Sequence, residues 1–331
     1  MDPLQRVQAV IDGRLPDRPP VSLWHHFPPH QIGGPAAVAA HLDQLREYDL
    51  DFLKVMNDNP YPHAGLVGSI VDLASITELR GDEAEFQRQL DLLADLRREL
   101  RGRVLMTTTL FNAWTVLRHL IRPPSEHNPP ELDAAADAPS AQIREMLAVD
   151  ELAVRTAIGQ IGRSLANFAR RCIEAGADGI FLSVRDDWVD SPRPGVYARV
   201  VRSADLEVLE AARAGRFNMV HVCGRAVDFR SLADYPAHVI NWADRAAGPS
   251  IASVKDWVKP AICAGVDNLS TLPNGTPEDV EREVADALKQ AGSRPIMIAP
   301  GCTYDPAKVP AANLQAMARA AHAHVYDGEH A

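Results

Sequence analysis

The sequence has few cysteines, no cluster of basic residues and no long apolar run, and each absence excludes a class of protein. Four cysteines among 331 residues are too few for a scaffold held by disulfides, so we expect a reducing, cytoplasmic location. A net charge of −10 without a Lys/Arg-rich segment argues against nucleic acid and anionic membranes as partners. The apolar runs fall far short of the ~20 residues that a membrane span needs. The first residues also lack the pattern of a signal peptide.

Eight short apolar segments alternate along the chain with longer segments of helical pattern. They are continuous runs rather than strict alternations, which is typical of strands buried on both faces. The predicted strands are Val21–Trp24, Asp51–Met56, Val104–Thr108, Gly179–Val184, Phe217–Val222, His238–Trp242, Ala261–Val266 and Pro295–Ala299. Helical patterns lie between them at Ala84–Arg101, at Ala153–Ala175 and from Thr276-Pro277 onward.

This alternation predicts an α/β fold, a single (β/α)8 TIM barrel domain over residues 1–331, with its active site at the carboxyl ends of the strands. A doubly wound sheet is the alternative, and it would carry a glycine-rich phosphate turn after an early strand. Gly33-Gly34-Pro35 is the nearest candidate and lacks that pattern. The Pro- and Ala-rich segment Pro123–Ser140 is interpreted as a long loop of the barrel.

Polar side chains follow the predicted strands, at the face where such a barrel carries its chemistry. We predict catalytic roles for Asp58, His25 and His26. Small-molecule substrate contacts are predicted for Trp24, Asn57, Asn112, Arg185, Asn241 and Tyr304.

The most specific pattern is His221-Val222-Cys223, with Cys302 about 80 residues further on in a Pro-Gly-Cys turn. Imidazole and thiolate are good Zn²⁺ ligands, and positions i and i+2 of a strand point to the same side. Three protein ligands would leave a fourth position for substrate, as in catalytic zinc sites. The alternative is that both cysteines are small buried residues and His221 is a satisfied core histidine.

The other candidates also have structural alternatives. Asp58 is either a general acid or base or part of an Asx-turn before Pro60. His25 and His26 either bind substrate carboxylates and shuttle protons or lie at the surface. The segment Arg185-Asp186-Asp187 either contributes to the site or forms an exposed ion-paired turn.

Four segments give the chain its resemblance to the uroporphyrinogen decarboxylase superfamily. They occur in the superfamily's order across nearly the whole chain, and they are Arg18-Pro19-Pro20-Val21, Gly176-Ala177-Asp178-Gly179-Ile180-Phe181, His221-Val222-Cys223-Gly224 and Ile298-Ala299-Pro300-Gly301-Cys302. The resemblance implies a single (β/α)8 barrel, which agrees with the strand pattern.

One branch of the superfamily comprises decarboxylases that act on a four-carboxylate porphyrinogen without metal or cofactor. Asp58 is similar in position to their catalytic aspartate. The chain departs from them at Trp24–Phe27, where they have an arginine-rich segment, and at Gly301-Cys302, where they have Gly-His. No match to their active-site tyrosine is found near Asn112–Leu120. A site with so little positive charge is ill-suited to a polyanion, which needs arginine forks.

The other branch comprises zinc-dependent methyltransferases that move a methyl group between a corrinoid and a thiol. The resemblance implies Zn²⁺ ligation by His221, Cys223 and Cys302, with Asp244 as a candidate fourth ligand. A methylcorrinoid would have to arrive free or on a corrinoid protein, since the chain has no Asp-x-His-x-x-Gly segment. The resemblance further suggests a homodimer. Two alternatives stay open: decarboxylation of uroporphyrinogen or a smaller acid through Asp58, and a non-catalytic barrel that retains zinc.

Overall fold

A computed structural model describes residues 1–123, 138–185, 195–224 and 227–326. Seven parallel strands form one curled sheet in which each strand pairs with the next along the chain. The strands are β1 (Phe52–Val55), β2 (Leu105–Phe111), β3 (Gly179–Arg185), β4 (Met219–Cys223), β5 (Val239–Trp242), β6 (Ala261–Val266) and β7 (Ile296–Pro300). Seven of the eight predicted strands are therefore confirmed.

Helices connect the strands, and all but α1, which packs at the amino ends of the strands, lie outside the sheet. They are α1 (Pro3–Ile11), α2 (Gly34–Glu47), α3 (Ala84–Leu100), α4 (Ala113–Ile121), α5 (Ala138–Val149), α6 (Glu151–Glu174), α7 (Val196–Val200), α8 (Arg202–Ala211), α9 (Phe229–Leu232), α10 (Ile251–Val254), α11 (Thr271–Asn274), α12 (Pro277–Ala291) and α13 (Ala311–Ala323), with 3-10 turns at Pro29–Gln31 and Ile70–Ser75. Over the described ranges, none of these helices combines the length and apolarity that crossing a membrane requires.

Local sequence signals explain where the predicted helices begin and end. The α12 helix begins at Pro277 because Thr276 caps it, in a reciprocal capping box with Asp279. The α3 helix ends at Leu100 because Arg101 has a left-handed φ of 51°. Most of the predicted Pro123–Ser140 loop lies outside the described residues, but its last three residues begin α5 rather than a loop.

The predicted eighth strand, Val21–Trp24, is an extended segment rather than a strand. It lies between the last and first strands, because Ser22 N–H donates to the Ile298 carbonyl at 3.1 Å and Asp51 N–H donates to the Val21 carbonyl at 2.9 Å. Two causes interrupt a regular ladder: Pro20 has no N–H to donate, and the Val21 N–H goes to the Asp51 side chain at 2.9 Å. The structure is therefore a seven-stranded curled sheet, not the predicted eight-stranded one.

The Asp51 carboxylate holds this segment in place. Besides Val21 N–H, it accepts hydrogen bonds from Arg6 Nη1 at 2.6 Å and Arg18 Nη1 at 2.7 Å. The Asp51 side chain is only 1% exposed, so this carboxylate relies on the protein for its partners. The contacts join α1, the segment before Val21 and the residue that precedes β1.

The inner face of the curled sheet changes character along the strands. At the amino ends it is apolar and packs against Val7 and Val10 of α1, through side chains that include Phe52, Leu105, Met219 and Val239. Because side chains alternate along a strand, the next inward positions are two residues on. There the strands carry Lys54, His221 and Asn241, all buried. The sheet thus presents polar groups at its carboxyl ends.

We predict that Asp51→Ala lowers the free energy of unfolding by about 3–5 kcal/mol, because it leaves two guanidinium groups without their buried carboxylate. Urea unfolding followed by circular dichroism measures the change. Asp43→Ala is the matched control, since Asp43 pairs with Arg46 at 3.5 Å on the exposed surface and its loss should change stability little. Equal stability of the two variants would contradict the role given to Asp51.

Candidate metal centre and inner pocket

A pocket with an empty volume of about 540 Å³, partly open to solvent, lies at the carboxyl ends of β1–β4 and beside the turn after β7. We refer to it as the inner pocket. Its lining residues are Trp24, His26, Lys54, Met56, Thr109, Phe111, Thr115, Arg118, His119, Phe181, Ser183, Arg185, His221, Cys223, Cys302 and Thr303.

His221, Cys223 and Cys302 form what we call the His-Cys cluster at one wall of this pocket. Their candidate ligand atoms all lie within 4.8 Å of one another, and Cys302 Sγ is 3.3 Å from His221 Nε2. His221 and Cys223 share a face of β4, as their i, i+2 spacing predicts. One imidazole and two thiols at this separation are a donor set that fits Zn²⁺.

Asn241 on β5 fixes the orientation of the His221 ring. Its Oδ1 lies 2.6 Å from His221 Nδ1, and its Nδ2 donates to the carbonyls of Cys263 and Pro300. Because Nδ2 must donate to those carbonyls, Oδ1 is the acceptor and His221 Nδ1 carries the hydrogen. His221 Nε2 is then left with its lone pair toward Cys302, which is the tautomer that binds a metal.

Two glycines allow the backbone turns that place the cysteines. Gly224, directly after Cys223, has a φ of 141°, which residues with a side chain rarely adopt. A Cβ on Gly301 would lie 2.6 Å from Ala243 Cα, so only glycine lets the turn before Cys302 pack there. The Pro-Gly-Cys sequence therefore has a packing reason as well as a chemical one.

Asp58, which follows β1, is in contact with His26, which follows the Val21–Trp24 segment. Asp58 Oδ1 lies 2.5 Å from His26 Nδ1, and Asp58 Oδ2 accepts from Phe27 N–H at 3.2 Å. Burial acts to raise the pKa of Asp58, but the hydrogen bonds from His26 and Phe27 prevail and hold it below its usual value. Only His26 of this pair lines the inner pocket.

His25 and Tyr304 form a separate network behind the pocket. His25 Nδ1 lies 2.9 Å from both Tyr304 Oη and Gln44 Nε2. Burial is the main cause that lowers the pKa of His25 to about 4, so this imidazole is neutral at pH 7. Neither His25 nor Tyr304 is among the residues that line the pocket.

The remaining predicted residues fall into two groups. Trp24 and Arg185 are buried and line the pocket. Asn57 accepts hydrogen bonds within its own turn, and Asn112 caps α4 through Thr115 N–H. Neither asparagine lines the pocket.

Asp244 is not a member of the His-Cys cluster. It accepts from Gly265 N–H at 3.0 Å and lies 3.5 Å from Arg245, and burial raises its pKa to about 6. Its carboxylate is therefore engaged at the β5–β6 connection. Asp186 and Asp187 lie outside the described residues.

The expectation of little positive charge in the site is wrong. Lys54, Arg118 and Arg185 all line the inner pocket, whereas no described lining residue is acidic. Lys54 lies on β1 with its Nζ 4.3 Å from the Phe181 ring centroid and 5.4 Å from that of Trp24. A lysine inside the apolar run Phe52-Leu53-Lys54-Val55 was a signal available in the sequence.

The chain is similar to known proteins over most of its length. The profile of the uroporphyrinogen decarboxylase (URO-D) family matches residues 47–324. A methyltransferase from Methanosarcina mazei superposes with a TM-score of 0.71 at 15% identity, covering 97% of this chain and 98% of that one. A B12-independent methionine synthase from a Shewanella species gives a TM-score of 0.46 at 12% identity, covering 70% and 65%. Curated protein sequences gave no significant match. At 15% identity the likeness to the Methanosarcina protein shows a shared fold alone.

We predict that Asn241→Ala weakens Zn²⁺ binding about 10- to 100-fold, because it removes the acceptor that orients His221. Titration of the purified protein against a competing chelator measures the affinity. Asn313→Ala is a matched control: Asn313 is a buried amide that likewise donates to two backbone carbonyls, and it has no contact with His221. The same Zn²⁺ affinity in both variants would contradict the prediction.

Proposed function

Because the chain belongs to the uroporphyrinogen decarboxylase family, we propose that it is a zinc-dependent methyltransferase of that family, which moves a methyl group from a methylcorrinoid to a thiol. The observation that carries the proposal is the His-Cys cluster, whose three ligand atoms lie within 4.8 Å at the wall of the inner pocket. We also propose that Val21–Trp24 stands in for the eighth strand of a (β/α)8 barrel, since it bonds to Ile298 and Asp51.

The cluster suits a catalytic metal better than a structural one. His221, Cys223 and Cys302 would supply three ligands, and Asp244 is engaged with Gly265 and Arg245. Structural zinc sites take four protein ligands, whereas catalytic sites keep one position open. The open position would face the inner pocket, because all three ligand residues line it.

Bound Zn²⁺ would supply the positive charge that keeps a substrate thiol ionised at neutral pH. The pocket residues hold the thiol and the methyl donor together and limit the access of water through Trp24, Phe111 and Phe181. The sulfur electron pair would form the new bond to the methyl carbon, and the electrons of the broken carbon–cobalt bond would stay with the corrinoid. That donor would arrive free or on a separate protein.

The structural neighbour with a TM-score of 0.71 is named a methyltransferase, and this agrees with the proposal. The TM-score supports a shared fold, whereas an identity of 15% is too low to carry the activity over, so experiment must test it. The chain's own donor set distinguishes the methyltransferase from the decarboxylase, because position 302 is a cysteine where the decarboxylase pattern has a histidine.

We predict that wild-type protein purified without chelator contains about one zinc per chain and that Cys302→Ala loses it, because two ligands hold zinc far less tightly than three. Elemental analysis measures the metal, and methyl transfer from methylcobalamin to 2-mercaptoethanol measures activity. Cys172→Ala is the matched control: Cys172 is fully buried in α6, outside the cluster.

Two outcomes would contradict the proposed function. Zinc-free wild-type protein whose activity is unchanged by Cys302→Ala would exclude the metal. Zinc that is bound without any methyl transfer would indicate the non-catalytic barrel.

One observation favours the decarboxylase as a second candidate. Lys54, Arg118 and Arg185 give the inner pocket three cationic side chains, which suit an acidic substrate. Asp58, the carboxylate that this candidate reaction would use, is instead hydrogen-bonded to His26 and does not line the pocket. Release of CO2 from uroporphyrinogen by protein stripped of zinc would favour this candidate over methyl transfer.

A further inference from the structure

We propose that His26 is the base that takes the proton of the incoming thiol and that Asp58 is the residue that positions it. This inference rests on the proposed function, because it assigns a step of the same reaction. It concerns the proton that any thiol must lose when it becomes the attacking sulfur.

The His26 ring lies between the half-buried carboxylate of Asp58 and the inner pocket. Its Nδ1 is 2.5 Å from Asp58 Oδ1, and its side chain lines the pocket that contains Cys223 and Cys302. The side chain of Asp58 is 17% exposed and that of His26 is 39% exposed. His26 is therefore the more accessible member of the pair and can exchange protons with solvent.

Asp58 determines which nitrogen of His26 is basic. A carboxylate can only accept hydrogen bonds, and the contacts that hold the pKa of Asp58 low keep it ionised at neutral pH. His26 Nδ1 must then carry the hydrogen that Asp58 accepts. Nε2 is left with a free lone pair, and it has no hydrogen-bond partner within the described ranges.

The charged and titratable groups around His26 carry both signs. Asp58 is in direct hydrogen-bond contact with His26, and cationic side chains line the same pocket. The surrounding groups are Lys54 on β1, Asp58 after β1, His25 on the same segment as His26, His41 of α2, Arg118 and His119 of α4, Arg185 of β3, His221 and Cys223 of β4, and Cys302 after β7. His25, His41 and His119 are neutral at pH 7, because burial lowers the pKa of each to about 4 or below.

The proton balance of the step is simple. The S–H bond of the thiol breaks, its electron pair stays on sulfur, and the proton forms a new bond to His26 Nε2. Asp58 balances the charge of the imidazolium, and a bound metal ion would balance the charge on sulfur. After methyl transfer, His26 returns the proton to solvent. Thiol binding itself therefore exchanges no net proton with solvent, and that property can be measured.

The test follows thiol binding to the full chain loaded with Co²⁺ in place of zinc, with 2-mercaptoethanol as the probe. The rise of the sulfur-to-cobalt charge-transfer band gives the thiol affinity at each pH. In wild-type protein, the affinity should stay nearly constant around neutral pH, because the proton moves from thiol to His26. In His26→Gln, it should rise about tenfold per pH unit, because one proton now goes to solvent.

Variants separate this role from a structural one. Asp58→Asn should show an intermediate pH dependence with unchanged cobalt content, since the imidazole remains but its acceptor is weaker. His322→Gln is the matched control: His322 contacts the Asp49 carbonyl before β1, at the opposite end of the sheet, and should keep the flat profile. At neutral pH, His26→Gln should also slow methyl transfer from methylcobalamin about 10²- to 10⁴-fold.

A tenfold rise per pH unit in wild-type protein, or a flat profile in His26→Gln, would overturn the role of His26 and leave the proposed function standing. A wild-type cobalt protein whose band does not respond to thiol at any pH would overturn the proposed function itself. Thermal unfolding and cobalt content of each variant identify a folding defect, and in that case the Asp58→Asn profile decides.

Discussion

The buried carboxylate of Asp51 is the contact that holds the Val21–Trp24 segment between the last and first strands of the curled sheet. It accepts from Arg6, Arg18 and the Val21 N–H, and so ties the segment before β1 to the amino-terminal segment. The Val21–Trp24 segment pairs with Ile298 of β7, and Trp24 and His26 at its carboxyl end line the inner pocket. The ion pairs of Asp51 at the amino ends of the strands thus position a segment whose side chains line the pocket at the carboxyl ends. Removing one partner of such a buried set costs more than the intact set contributes, because the others remain desolvated.

A gradient of polarity along the inner face separates stability from chemistry. Near α1 the inward side chains are apolar and close-packed, and two residues further on they are Lys54, His221 and Asn241. Buried polar groups are tolerated only when they have partners. Asn241 satisfies His221 and two backbone carbonyls at once. The rigid apolar half therefore supports a polar half whose geometry is determined by hydrogen bonds.

The sequence predicted the strands, and the face on which their side chains lie, where the apolar pattern alone determines them. It did not predict the structure where a side chain takes the place of a backbone partner. The continuous apolar runs located β1 to β7, and the i, i+2 rule put His221 and Cys223 on one face. The eighth strand failed because a carboxylate takes the Val21 N–H, and no strand pattern contains that information. Lys54 and Arg118 were not predicted because neither follows the end of a strand. Lys54 reaches the pocket from an inward position within β1, and Arg118 reaches it from α4. Asp244 follows its strand as expected, but its backbone turns the carboxylate toward Gly265.

The amide of Asn241 has a consequence for the order of assembly. It joins His221 on β4, the Cys263 carbonyl on β6 and the Pro300 carbonyl at the end of β7. These residues are far apart in the chain, so the amide has all its partners only after four consecutive strands have aligned. The metal-binding tautomer of His221 is therefore a product of completed folding rather than a local property of the His-x-Cys sequence. In a chain that has not yet aligned β4 to β7, Cys302 is still apart from His221 and Cys223, so metal uptake reports how far the carboxyl-terminal half of the sheet has formed.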